Sequence, residues 1–223
     1  MSTASNGPGA VELLLDNGTR CMGEQISVEG ALAVCLLLHD RHGDIDQMRG
    51  LADAVRRYSM SVLLIDLPGH GLSDGDVDVD AMAALAMAMS YSAELATPLC
   101  VIAEGSSADL LLRSRPTVSV AGYALLSPRS DFSEVEFDAS PWSRTASISI
   151  LDPHDQRADA VASLIARRTH AVAGRVYAHK SATLGTGRAS WPLQAAQSSA
   201  QFLAERAAFA GAAAARDEKE GTR

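Results

Sequence analysis

The stretch "LLLHDRHGDIDQMRGLADAVRRYSMSVLLIDLPGHGLSDGD", residues 36–76, decides how the rest of the chain is read. It opens inside a continuous apolar run, Leu32 to Asp40, with no polar alternation, which predicts a strand buried on both faces. "IDQMRGLADAVRRY" then places Ile45, Met48, Leu51, Ala52 and Val55 at helical spacing. "MSVLLIDLPGHGLSDGD" returns to a buried strand and ends in a loop rich in glycine and proline. Strand, helix and strand in this order form a βαβ unit, and such units build parallel sheets.

Working outward, "VELLLDNGTRCMGEQISVE" reads as two strands around Asp16-Asn17-Gly18, a hairpin signal. Downstream, "VDAMAALAMAMSYSAEL" is a helix whose alanine and methionine face reads as core. "LCVIAEG" is a third buried strand, followed by a short helix, "SADLLLRSR", closed by Pro116. "VAGYALLSPRS", "SISILDPHD" and "AGRVYAHK" read as further strands, with a helix, "ADAVASLIARR", before the last. After Trp191 comes a closing helix, with Pro192 suited to its first turn. The expected fold class is α/β: a mostly parallel sheet, helices on both faces and an antiparallel N-terminal hairpin. A single domain over 10–215 is expected, between a disordered N-terminus (1–9) and a disordered charged tail (216–223).

Composition narrows the function classes. The formal net charge of −8 argues against nucleic acid or an anionic membrane surface as partner. The three cysteines, Cys21, Cys35 and Cys100, follow no metal spacing, and the last two lie inside apolar runs as small buried hydrophobes. The first residues carry neither a basic start nor an apolar core of a signal peptide. No apolar stretch approaches the roughly 20 residues of a membrane span, so a cytoplasmic protein is expected. Arginine and alanine in excess over lysine suggest a GC-rich bacterial genome. No G-x-G-x-x-G follows the first parallel strand and no Walker loop is present, so no cofactor is expected. His39, His42, Asp66 and His70 fall on loops at one end of the sheet, but their spacing matches no ligand motif, and no metal is expected.

The stretch 36–76 resembles the α/β-hydrolase superfamily, in its esterase, lipase and serine-aminopeptidase branch. The resemblance rests on the strand ending in His39, the helix after it, and "DLPGHGLSD" at Asp66 to Asp74. It implies a nucleophile on a strained strand-to-helix turn, G-x-S-x-G, a histidine that takes its proton, and an acid that orients the histidine. Two registers fit the turn. In the preferred one "AEGSS" occupies it, with Ala103 and Ser107 at the flanking glycine positions and Gly105 in place of serine. In the other, "GSSAD" occupies it, with Ser107 as nucleophile and Asp109 at a crowded site.

The resemblance further implies Asp155, in "ILDPHDQ", at the acid position. For the histidine it offers Leu184, in "SATLGTG", as the degenerate equivalent, or His179 directly after "RVYA". The first loop supplies the oxyanion-hole region, His39 and Asp40, with Asp40 where the family usually has glycine; Ser106 follows the turn's apex. A carboxylate there would oppose the charge developing in acyl transfer, unless it points to solvent. Only "PRSDFSEVEFDASPWSRTA" separates the fourth and fifth parallel strands, so a minimal lid is expected, with Trp142 either over the pocket or packed against the sheet.

Three functions remain in play. The first is a triad-lacking member, a pseudoenzyme that binds a small acyl or carbonyl ligand or a protein partner. The second is an active hydrolase of small esters or thioesters using Ser107, or Ser106, with His179 and Asp155. The third is a lyase or cyclase that needs no nucleophile.

Overall fold

A computed structural model of the chain describes residues 8–95, 98–128, 146–151, 176–178, 182–183, 189–190 and 193–221. Strands β1 (Pro8–Leu14) and β2 (Arg20–Ile26) form the expected hairpin. Then come β3 (Ala33–Leu38), a 3₁₀ turn (Ile45–Met48), α1 (Arg49–Arg56) and β4 (Met60–Ile65). Helix α2 (Val77–Leu95), β5 (Leu99–Glu104), α3 (Ser106–Arg113) and β6 (Val120–Leu126) follow. The described residues end with β7 (Ala146–Leu151), β8 (Val176–Ala178), a short antiparallel pair β9 (Ala182–Thr183) and β10 (Ala189–Ser190), and α4 (Leu193–Gly221).

Eight strands form one sheet in the order β1-β2-β4-β3-β5-β6-β7-β8. β2 runs antiparallel to β4, and every pairing from β4 onward is parallel. The sheet reverses its winding between β3 and β5, whose carboxyl ends therefore leave a crevice where loops meet.

The continuous apolar strands are explained by two cores. On one face Leu36, Leu38, Leu63, Ile65, Val101 and Ala103 pack under α2 and α3. On the other, Cys35, Leu37, Val62, Leu64, Cys100 and Ile102 pack under α1 and α4. Alternate residues of one strand thus enter opposite cores, which leaves little place for a polar side chain; Ser61 of β4 is an exception, its hydroxyl accepting from Val28 N at 3.0 Å. All three cysteines are buried and free.

Local chemistry sets the boundaries. Asp44 caps the 3₁₀ turn by accepting from Gln47 N, and the Asp76 carboxylate accepts from Asp78 N at the start of α2. Asn17 at the hairpin turn donates to Asp80 at 2.8 Å, tying the turn to α2. The tail differs from expectation, because α4 continues through Gly221. The alanine-rich run before it propagates helix into residues read as frayed. At the other end β1 begins at Pro8, inside the segment read as disordered. The helix expected from "ADAVASLIARR" lies outside the described residues. No helix among the described residues is long and apolar enough to cross a membrane.

Candidate functional site

The carboxyl ends of β3, β4 and β5 bring together loop 39–44, loop 66–75 and the β5–α3 turn. Gly105 is the apex of that turn, between the last residue of β5 and the first of α3, with φ +54° and ψ −119°. Its N–H donates to Leu126 O at 2.8 Å, which fixes the turn against β6. A positive φ at this position suits a residue without Cβ.

The space beside Gly105 is filled. A Cβ built on it would lie 2.2 Å from Asp40 Oδ1 and 2.5 Å from its Cγ. Asp40 is 7% exposed and turns inward from the first loop. Its Oδ1 accepts from Ser106 N at 2.9 Å and from Ser106 Oγ at 3.1 Å. The same hydroxyl accepts from Arg41 N at 2.8 Å. The first backbone donor of α3, which the resemblance assigns to an oxyanion, is thus bonded to the chain's own carboxylate. Negative charge at a helix N-terminus is stabilising, by about 0.3–1 kcal/mol.

Ser107 lies one step into α3 and is 1% exposed. Its Oγ donates a hydrogen bond to His39 O, so it is not at the apex and its hydroxyl is not presented to the crevice. The register with Ser107 at the turn therefore does not fit this geometry. Ser106 is half-buried, its hydroxyl held between Asp40 and Arg41.

His39 is fully buried. Its Nε2 accepts from Leu67 N at 2.9 Å, and Nδ1 faces Asp40 O at 2.7 Å. An acceptor at Nε2 leaves the proton on Nδ1, so the ring is a neutral tautomer spent on backbone groups. Burial lowers its pKa, and the neighbouring His70 pushes the same way; the Asp40 carbonyl, Asp66 and Asp44 act in the opposite sense. His70 packs at 5.1 Å between ring centroids and sets its nitrogens against the carbonyls of Pro68 and Arg41.

Asp66 pins the second loop. It is 3% exposed, and its carboxylate accepts from Ile45 N at 3.0 Å and Leu72 N at 3.3 Å. A Cβ on Gly71 (φ +51°) would reach within 2.0 Å of Asp66 Oδ2, so the second glycine of "PGHG" exists to let this carboxylate in. Of the residues that suggested a metal, His39, Asp66 and His70 are held by loop contacts, and His42 is exposed. No group of three or more metal-ligating side chains occurs among the described residues. Asp155, His179, Leu184 and Trp142 lie outside the described residues. What the sequence did not settle was the direction of Asp40; the signal for it was a glycine at the turn that faces this carboxylate.

No protein-family model matches the chain, and no curated protein matches it in sequence. Solved structures do. Esterase Pf2001 of Pyrococcus furiosus is 16% identical, with 88% of this chain and 90% of that one covered at a TM-score of 0.67. Brefeldin A esterase, a bacterial homologue of human hormone-sensitive lipase, is 13% identical over 94% of this chain and 80% of that one, with a TM-score of 0.70. A predicted CIB-like hydrolase from Thermoplasma acidophilum is 14% identical over 91% and 98%, with a TM-score of 0.61. Together with the strand order and the elbow between β5 and α3, these likenesses identify the architecture: the chain has the α/β-hydrolase fold.

Proposed function

We propose that this chain performs no serine-hydrolase chemistry at the β5–α3 turn and acts by binding, either a small acyl or carbonyl compound or a protein partner. One observation carries the reading: the volume of a nucleophile's side chain at position 105 is held by the Asp40 carboxylate, 2.2 Å from where that side chain would begin. Acyl transfer needs a nucleophile there and free N–H donors for the developing oxyanion. Here glycine removes the first requirement, and Asp40 occupies a donor needed for the second. A fixed negative charge in that place raises the barrier for any second negative charge.

The nearby serines support the same reading. Ser107 donates to a backbone carbonyl inside the core. Ser106 donates to the Asp40 carboxylate and accepts from Arg41 N, so its hydroxyl is held within the first loop, and no histidine among the described residues bonds to it to take its proton. The deciding experiment is a fluorophosphonate probe on the purified protein, read by intact mass and peptide mapping. No adduct is expected under conditions that fully label a known serine hydrolase. A stoichiometric adduct on Ser106 or Ser107 would overturn the reading in favour of an active hydrolase.

A further inference from the structure

We propose that the outer face of α2 is a docking surface for a cationic amphipathic helical segment of another protein. From Ala81 to Ala93 the helix carries no charged residue. One side does the expected work, with Ala84, Leu85, Ala88 and Met89 buried in the core. The opposite side carries exposed apolar residues in its first half: Val79 is 75% exposed and Met82 42%, followed by exposed Ala83 and Ala86. A helix stretch apolar on both its inner and outer sides is ordinarily covered on both. No described residue covers this one.

The surface has relief as well as polarity. Ala86 lies on a ridge between two furrows. One, of about 550 Å³, runs between α2 and the hairpin turn at Leu15, Asp16 and Asn17. The other, of about 130 Å³, runs between Met82, Met89 and the segment from Ser114 to Val118. Small residues on the ridge allow a second helix to approach closely and place its larger side chains in the furrows.

Charge selects the occupant. Asp76 lies at one end of the strip, Glu94 at the other and Asp16 across the larger furrow, all exposed and without an ion pair among the described residues. Arg115, in the smaller furrow, is the basic residue among those lining the two. A second copy of the chain fits poorly. Antiparallel pairing sets Asp76 against Glu94, parallel pairing sets Asp76 against itself, and each copy carries a net charge of −8. Helix α2 is about 28 Å long, and its exposed apolar side chains lie in the first half, from Val79 to Ala86. The strip suits one helix laid along it, apolar on the inner side and basic at both ends. The inference is independent of the Asp40–Gly105 site and stands or falls separately from it.

The test uses an Ala86→Cys variant of the full chain. The native thiols are all buried, so a maleimide reads the introduced one. The introduced thiol should react rapidly in the free protein. A saturating 18-residue Leu/Lys amphipathic peptide should slow it about tenfold, and raising salt should weaken that protection. A Leu/Glu peptide of the same design should not protect, and an Ala208→Cys control on the exposed side of α4 should be unaffected by either. Four results would overturn the proposal: no reaction in the free chain, which means that the chain covers the face itself; equal protection by both peptides; equal protection of the Ala208→Cys control; or labelling that slows with the protein's own concentration, which means a second copy.

Discussion

The carboxylate of Asp40 and the bare α-carbon of Gly105 are steric complements: Oδ1 lies 2.2 Å from the position of a Cβ on residue 105 and accepts the N–H of residue 106 at 2.9 Å. Two residues on loops far apart in sequence therefore form one structural feature. The absence of a side chain at 105 makes room for the side chain at 40, which accepts the N–H of Ser106.

Gly105→Ser by itself should give no hydrolase. The new Cβ meets Asp40, and a non-glycine residue takes on φ +54°. Overpacking and backbone strain should together cost about 1–3 kcal/mol, seen as a lower urea midpoint with no fluorophosphonate adduct. Adding Asp40→Gly relieves the clash, and a double-mutant cycle should return a coupling of about 0.5–3 kcal/mol. Additive effects would mean that the two residues do not share one volume.

Asp40→Ala leaves Ser106 N–H without its acceptor and should destabilise by about 1–3 kcal/mol. Asp40→Asn keeps an oxygen acceptor, loses the charge at the α3 N-terminus, and should cost less. Chemical denaturation of the three proteins in one buffer checks the order. An Asp40→Ala variant as stable as the parent would show that the carboxylate does not hold the turn.

Stability should fall as the solution is acidified through the histidine range. His39 is buried neutral with its pKa lowered, so between its folded value and the ordinary value of about 6.5 the unfolded chain binds the extra proton. Its contribution is fully present above about pH 6.5 and declines below it. Urea unfolding at stepped pH should show this slope, and a His39→Gln variant, less stable throughout, should show a shallower one. An unchanged slope would assign the acid sensitivity elsewhere.

The native thiols should resist modification until the chain unfolds. Burial pushes Cys21 up to about 11 and Cys100 up to about 12, and raises Cys35 well above the usual thiol range. Few thiolates exist at neutral pH, and none is accessible. Labelling by a disulfide reagent should track global unfolding across a denaturant series. Rapid reaction of Cys100 in native buffer would mean that α4 lifts from the sheet, since its Sγ lies 3.7 Å from Leu203 O on that helix.

The alternation of apolar runs with helical periodicity was enough to derive the sheet, because strands with cores on both faces admit few polar residues. The Asp16-Asn17-Gly18 turn likewise announced the antiparallel edge. Local patterning of this kind depends on near neighbours, and near neighbours are written in the chain. The direction of Asp40 is not a local property. In isolation a carboxylate prefers water. It turns inward because the β5–α3 turn removes a side chain at Gly105 and aims the N–H of Ser106 at the vacated space, and those two facts come from strands that meet only in the folded sheet. The same holds for α2, where one sequence of alanines and methionines is core on one side and open surface on the other. Which side is which was decided by the tertiary packing of the helix on the sheet, not by the residues of the helix itself.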